Sequence, residues 1–231
     1  MEFLFHAFRW LHIAAGFLAL LIFWVPIVSK KGGRIHNRSG WVYVYAMAFV
    51  SVSAFYMGVY RIVWDPARTE DTIPFAWFLI FIALLSGASA WYGIRVLTFK
   101  RRSERHRSLV DFFFPLLLLG SSISISVYGF IIDFGLLKYF PLIGFFVGIT
   151  QLIYWLSAPK LKMHWMIEHL TGMLACCIAT ITAFTVFGAP RLLQIESVSL
   201  ILWILPTLLI VPLIIGFSNY YKKKYNTPKL H

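Results

Sequence analysis

Acidic residues are scarce in this chain, with nine Asp and Glu among 231 residues against 21 Lys and Arg. Charged residues of both signs reach only 13%, where a soluble domain carries about 25%. No segment is polar enough to stand as a separate soluble module. Alternation of apolar and polar residues is missing too, which excludes a β-barrel. Only two cysteines occur, Cys176 and Cys177. Neighbours on a helix point about 100° apart, so this pair cannot readily bridge. They read as small apolar residues and say nothing about redox compartment. No basic stretch precedes the first apolar run, which Glu2 opens and Lys30 and Lys31 follow. A cleavable leader is therefore not expected, and the first helix should remain as an anchor. No stretch reaches a strong catalytic motif.

What is present is apolar: 60% hydrophobic residues and a mean hydropathy of +0.77. A helical span needs about 20 such residues. The runs predict seven helices, at 3–28, 40–63, 74–98, 109–133, 136–157, 165–188 and 198–218. Gly32-Gly33, Asp65-Pro66, Pro74, Gly135, Pro141, Pro159, Gly188 and Pro190 fall near the proposed boundaries, where helix breakers belong. The expected fold is an all-α polytopic transmembrane bundle, one integral membrane domain over residues 1–231. In hydrocarbon each unpaired backbone amide costs several kcal/mol, which leaves helices as the only solution for this pattern.

The net charge of +12 sits in turns between the apolar runs. That placement excludes a nucleic-acid binder and points to anionic lipid headgroups as the partner. One set of loops holds Lys30, Lys31, Arg34, Arg38, Lys100, Arg101, Arg102, Arg105, Arg107, Lys160 and Lys162, and the C-terminal tail adds Lys222, Lys223, Lys224 and Lys229. The other loops hold Arg68, Lys138 and Arg191, and Arg9, Arg61 and Arg95 lie within spans. Fifteen against three predicts that the first set is cytoplasmic, with the N-terminus outside and the C-terminus inside the cell's inner membrane.

Ionisable groups inside a membrane are costly and point to function. Arg9 and His12, three apart, share one face of the first helix, and Asp65 or Asp133 is the expected partner for Arg9. The Arg9–Asp133 pair would be structural, locking that helix into the bundle. Toward the cytoplasmic side gather His36, Arg95, His106, Asp111, His164, Glu168 and His169. His106 and His164, flanked by cations, suit helix-end carbonyls or lipid phosphates.

Three stripes stand out at helical spacing: His36, Gly40, Tyr43 and Met47; His12, Gly16, Ala19 and Phe23; and His169, Met173, Cys176 and Thr180, with Gly172 beside them. A glycine one turn from a histidine has two physical uses. Its missing side chain leaves room for a flat ligand whose iron the imidazole binds, or it lets two membrane helices pack closely. Ser86, Ser89 and Gly93, with Gly120 to Ser126, make small surfaces that favour packing. The leading expectation is one b-type haem or a Zn²⁺ ion near the cytoplasmic face. His36 and His169 would hold it, with His106, His164 or Glu168 completing the site, and a quinone or redox protein would be its partner. A proton-coupled transporter using Arg9, Arg95, Asp111 and Glu168 is the alternative, as is a non-catalytic assembly partner. A zinc hydrolase is disfavoured, because His164 and His169 lie five residues apart and so diverge by about 140° around the helix.

The stretch His12-Ile13-x-x-Gly16-x-x-Ala19-Leu20, followed by Gly33-Arg34-x-His36-x-x-x-Gly40-x-x-Tyr43-x-x-x-Met47, resembles a bacterial family of multi-helix membrane proteins of unknown function. The run His164-Trp165-Met166-x-x-His169-x-x-Gly172-Met173 is similar to a later block of the same family. The likeness covers helices one, two and six and implies no activity. His36 to Gly40 also resembles, more weakly, the H-x-x-x-G setting of the cytochrome b561 and ferric-reductase group. That likeness implies haem. A second haem in the outer leaflet is not implied, since His6 and His12 lie on divergent faces.

Overall fold

Among the described residues, seven helices are long and apolar enough to cross a bilayer. They are α1 (Glu2–Val28), α2 (Arg34–Val63), α3 (Thr72–Phe99), α4 (Leu109–Ile131), α5 (Gly135–Leu156), α6 (His164–Gly188) and α7 (Leu200–Asn226). The computed structural model describes residues 2–70, 72–194 and 200–226, and no strand occurs among them. Phe3, Leu21, Val28, Leu109 and Phe146 are each more than half exposed. Such side chains would be a liability in water but suit contact with lipid tails. The chain is a multi-pass helical membrane protein.

Two compact units divide the chain: Met1–Ala88 with Arg107–Leu156, and Ser89–His106 with Ser157–His231. In the first unit α1 and α2 form a hairpin. Phe5 stacks on Tyr60 with ring centroids 4.6 Å apart, and Phe8 meets Tyr56 at 4.8 Å. The turn between them is closed by Gly32, whose φ of 74° only glycine adopts without strain. Lys31 Nζ donates to the carbonyls of Pro26 and Ile27 at 2.8 and 2.5 Å. Those carbonyls belong to the last turn of α1, where the helix itself leaves acceptors unsatisfied.

Small residues bring the other helices of this unit together, as packing in lipid requires. Ser51 meets Ser86 at 3.3 Å between α2 and α3. A Cβ on Gly144 of α5 would lie 2.6 Å from Phe81 and 2.8 Å from Ser122 of α4. A Cβ on Gly148 would lie 3.0 Å from the Pro115 carbonyl. Phe81, Ala88 and Leu118 form a core within this packing.

In the second unit the last turns of α3 pack on α6, and α6 packs on α7. Met163, in the left-handed region at φ 56°, opens α6. Phe184–Gly188 form a π-helical turn near its end, where Thr185 Oγ1 donates to the Leu202 carbonyl at 3.4 Å. Phe187 meets Trp203 edge-on at 5.6 Å.

Two helices are longer than their apolar runs. α2 starts at Arg34 rather than 40, so His36 is a helical residue instead of part of an entry turn. α7 continues to Asn226 rather than 218. Along that extension Tyr220 meets Tyr221 edge-on, Tyr221 stacks on Tyr225, and Lys224 lies over the rings of Tyr220 and Tyr225. Helices persist beyond hydrocarbon wherever amphipathic side chains can line the interface. The expected start of this span at 198, and Lys229, lie outside the described residues.

Candidate functional site

Within the second unit α3 and α6 cross at two glycines. A Cβ on Gly172 would lie 2.8 Å from Gly93 Cα and 2.9 Å from its nitrogen, so backbone meets backbone. Two side chains lock the crossing. His169 Nδ1 bonds the Gly93 carbonyl at 2.7 Å. A carbonyl only accepts, so Nδ1 carries the proton and the neutral ring has its lone pair on Nε2. One residue earlier on each helix, the Tyr92 hydroxyl donates to Glu168 Oε2 at 2.5 Å. Tyr92 is buried, and burial requires that its hydroxyl find an acceptor. Below this pair, Arg102 Nη1 donates to the carbonyls of Ser157 at 2.8 Å and Glu104 at 3.1 Å. Lys100 Nζ sits 4.8 Å from the centre of the Trp165 ring. His164 lies one turn before Glu168 on the same face of α6.

The first unit holds two further anchored histidines. His12 Nδ1 lies 2.9 Å from Ser53 Oγ. Ser53 is fully buried and spends its only proton on backbone carbonyls, Phe49 at 2.6 Å and Val50 at 3.1 Å. The proton between His12 and Ser53 therefore comes from Nδ1. His36 Nδ1 donates to the Pro26 carbonyl at 3.0 Å. These three histidines thus keep Nδ1 occupied, and each neutral ring carries its lone pair on Nε2. Their glycines differ. Among the described residues a Cβ on Gly16 or Gly40 would meet nothing within 4 Å, whereas Gly172 is clamped.

Other expected site residues stand apart from these anchors. The His106 ring packs on Phe99, centroids 4.4 Å apart. Among the described residues no three His, Cys, Asp or Glu gather to hold one metal ion. The expected Arg9–Asp133 pair is replaced by a local one, because Asp133, in the turn before α5, bonds Lys138 in the first turns of that helix. A partner five residues away costs far less chain ordering than one on another helix. Lys138 and its hydrogen bond hold the Asp133 carboxyl below the usual carboxylate range. Asp65, the other expected partner of Arg9, accepts the Ala67 amide at 2.9 Å and lies 3.7 Å from Arg61.

No family model, curated protein or solved structure matches the chain. Three partners of the anchored side chains were not singled out by sequence: Tyr92 in the second unit, and Ser53 and Pro26 in the first. Tyr92 and Ser53 meet partners 76 and 41 residues away. Pro26 contributes only a carbonyl, which every residue type possesses. A hydroxyl-bearing residue in an otherwise apolar run was the one signal available.

Proposed function

We propose that the protein is a multi-pass protein of the cytoplasmic membrane that binds one b-type haem through His36 and exchanges electrons with a quinone or a second redox protein. One observation carries this reading: His36 is anchored through Nδ1 one turn before Gly40, beside which a side chain would meet open space. A carbonyl on Nδ1 fixes the tautomer and orientation of an iron-ligating imidazole and raises the basicity of Nε2. The bare helix surface at Gly40 leaves room for a flat ring to lie against it. His12 and Gly16 repeat the arrangement on α1.

Haem, when bound, supplies reversible one-electron chemistry tuned by its axial ligand and surroundings. The chain's own part is to hold the imidazole through Pro26, present Nε2, and keep Gly40 clear. Haem needs fewer protein ligands than zinc, and the lack of any three-ligand cluster among the described residues favours haem over Zn²⁺. The excess of basic residues in the loops containing Lys30–Arg38 supports placing His36 at the cytoplasmic side. The weaker likeness of His36 to Gly40 to the cytochrome b561 group belongs to the same reading.

The test is a visible spectrum of protein purified from haem-replete cells. A Soret band is expected, lost in His36→Ala and in Gly40→Leu while both variants keep the wild-type unfolding temperature to within a few degrees. Colourless wild-type protein, or an unchanged band in His36→Ala, would overturn the proposal.

A further inference from the structure

The exposed side of α7 carries a groove lined by Pro212, Leu213, Gly216, Phe217, Tyr220 and Tyr221. Its floor is Gly216, beside which a Cβ would meet nothing within 4 Å among the described residues. Leu213, Phe217 and Tyr220 are exposed along it. Ser218, two residues on and so about 200° around the helix from Gly216, is buried. The groove therefore lies opposite the buried side of α7. From Pro212 to Tyr221 it runs about 14 Å along the axis, at 1.5 Å per residue. That is close to the depth of one leaflet, half of a hydrocarbon core about 30 Å thick.

Toward the C-terminus the groove turns aromatic and then basic. Tyrosine suits the depth of the headgroups, and after Tyr220 and Tyr221 come Lys222, Lys223 and Lys224, all exposed. Lys224 Nζ lies 5.7 Å from the Tyr220 ring centre and 5.8 Å from that of Tyr225. Tyr220 and Lys224 are four apart, so this cation stands on the stripe that forms the groove. The Lys162 amide donates to Asn226 Oδ1 at 2.7 Å, which ties the turn holding Lys160 and Lys162 to the end of α7. Residues 200–231 contain no Asp or Glu. Glu168 of α6 is the acid on which Lys222 acts, and it leaves these five lysines in excess. An apolar slot one leaflet deep with cations at its mouth suits a lipid whose headgroup is negative. A second copy of this chain suits it poorly. Inserted the same way round, that copy would bring its own Lys222–Lys224 against these, and like charges repel.

We propose that this groove binds one anionic phospholipid, with an acyl chain laid over Gly216 and the phosphate against Lys222, Lys223 and Lys224. The phosphate only accepts hydrogen bonds and each ammonium only donates them, so the match is one of chemistry as well as of charge. The rings of Tyr220 and Tyr225 hold Lys224 near the mouth, which lessens the freedom it loses when the lipid binds. This site does not depend on haem, and its failure would leave the reading of His36 untouched.

The test uses the full chain in neutral detergent, titrated with phosphatidylglycerol or with phosphatidylcholine of the same chains, with bound lipid counted by native mass spectrometry. One phosphatidylglycerol is expected to bind with a half-saturation roughly tenfold lower than phosphatidylcholine, a preference that shrinks as salt screens the lysines. Replacing all three lysines together (Lys222→Gln, Lys223→Gln and Lys224→Gln) should abolish the preference. Gly216→Leu fills the floor and should weaken phosphatidylglycerol binding about fivefold or more, although the lysines remain. Glycerol phosphate, a headgroup without a chain, should not displace the lipid at equal concentration. Equal half-saturation for the two lipids, or unchanged affinity in Gly216→Leu, would overturn the proposal. Displacement by glycerol phosphate would also overturn it and make the lysines a site for free phosphate. A dimer that Gly216→Leu dissociates would overturn it in favour of an interface between copies. Should Gly216→Leu fail to fold, Tyr220→Ala, which removes one wall of the groove, decides in its place by the same loss of affinity.

Discussion

Gly40 and Gly172 each follow a histidine by about one turn, and both histidines are anchored through Nδ1 to a backbone carbonyl. At Gly172 the space of the missing side chain is filled by the backbone of Gly93, and the glycine is a packing device. At Gly40, and at Gly16 beside His12, that space is open. The same local pattern thus serves two ends. In membranes close helix contact is driven by packing and hydrogen bonds, with little hydrophobic force between helices. A glycine that touches nothing forgoes that gain and also carries the conformational cost of glycine in a helix. Packing gives no cause for a glycine at Gly40, whereas the proposed haem would.

The contrast breaks most sharply at the clamped position. Gly172→Ala places a methyl group against the Gly93 backbone, which cannot yield as a side chain would. It should cost about 1–3 kcal/mol, seen as a clear fall in unfolding temperature in detergent. Unchanged stability would mean that the crossing is looser than described. Gly40→Ala and Gly16→Ala meet no neighbour and should raise stability by about 0.5–1 kcal/mol through the loss of glycine's excess freedom. A large loss at either position would place another helix there and remove the open notch.

A smaller effect separates the histidines themselves. A double-mutant cycle on His12→Ala and Ser53→Ala should return a coupling near 0.6 kcal/mol, the order found for hydrogen bonds between membrane helices. Zero coupling would deny the anchor. The smallest effect lies outside the spans. Asp133 has its folded-state pKa lowered by Lys138, so its contribution is complete above the ordinary carboxylate pKa, about 3.9, and disappears as pH falls through the lowered value. Unfolding temperatures of wild type and Lys138→Met should therefore differ at neutral pH and converge in strong acid. Curves that stay parallel would rule out the pair.

Much of the architecture was legible in advance. Seven apolar runs gave five of the helices to within about two residues at both ends, because a hydrocarbon slab imposes one length on every span. The early start of α2 and late end of α7 escaped notice, since hydropathy marks where lipid begins and not where helical hydrogen bonding stops. The candidate residues His12, His36, His169 and Glu168 were legible as costly polar groups in apolar surroundings. Their partners were not. Tyr92 and Ser53 look like ordinary interfacial or packing residues until a distant helix is laid against them. Arg9 illustrates the reverse failure: spacing implied a partner on another helix, while Asp133 had Lys138 five residues further along the chain.

Periodicity, charge placement and breaker residues are local properties of a chain, and they were enough to decide that this one forms membrane-crossing helices. Which glycines are filled and which stand open depends on where two backbones meet, and no spacing rule carries that information. The difference between Gly172 and Gly40 was therefore decided by the packing of helices far apart in the chain, and with it the distinction between a filled contact and an open notch.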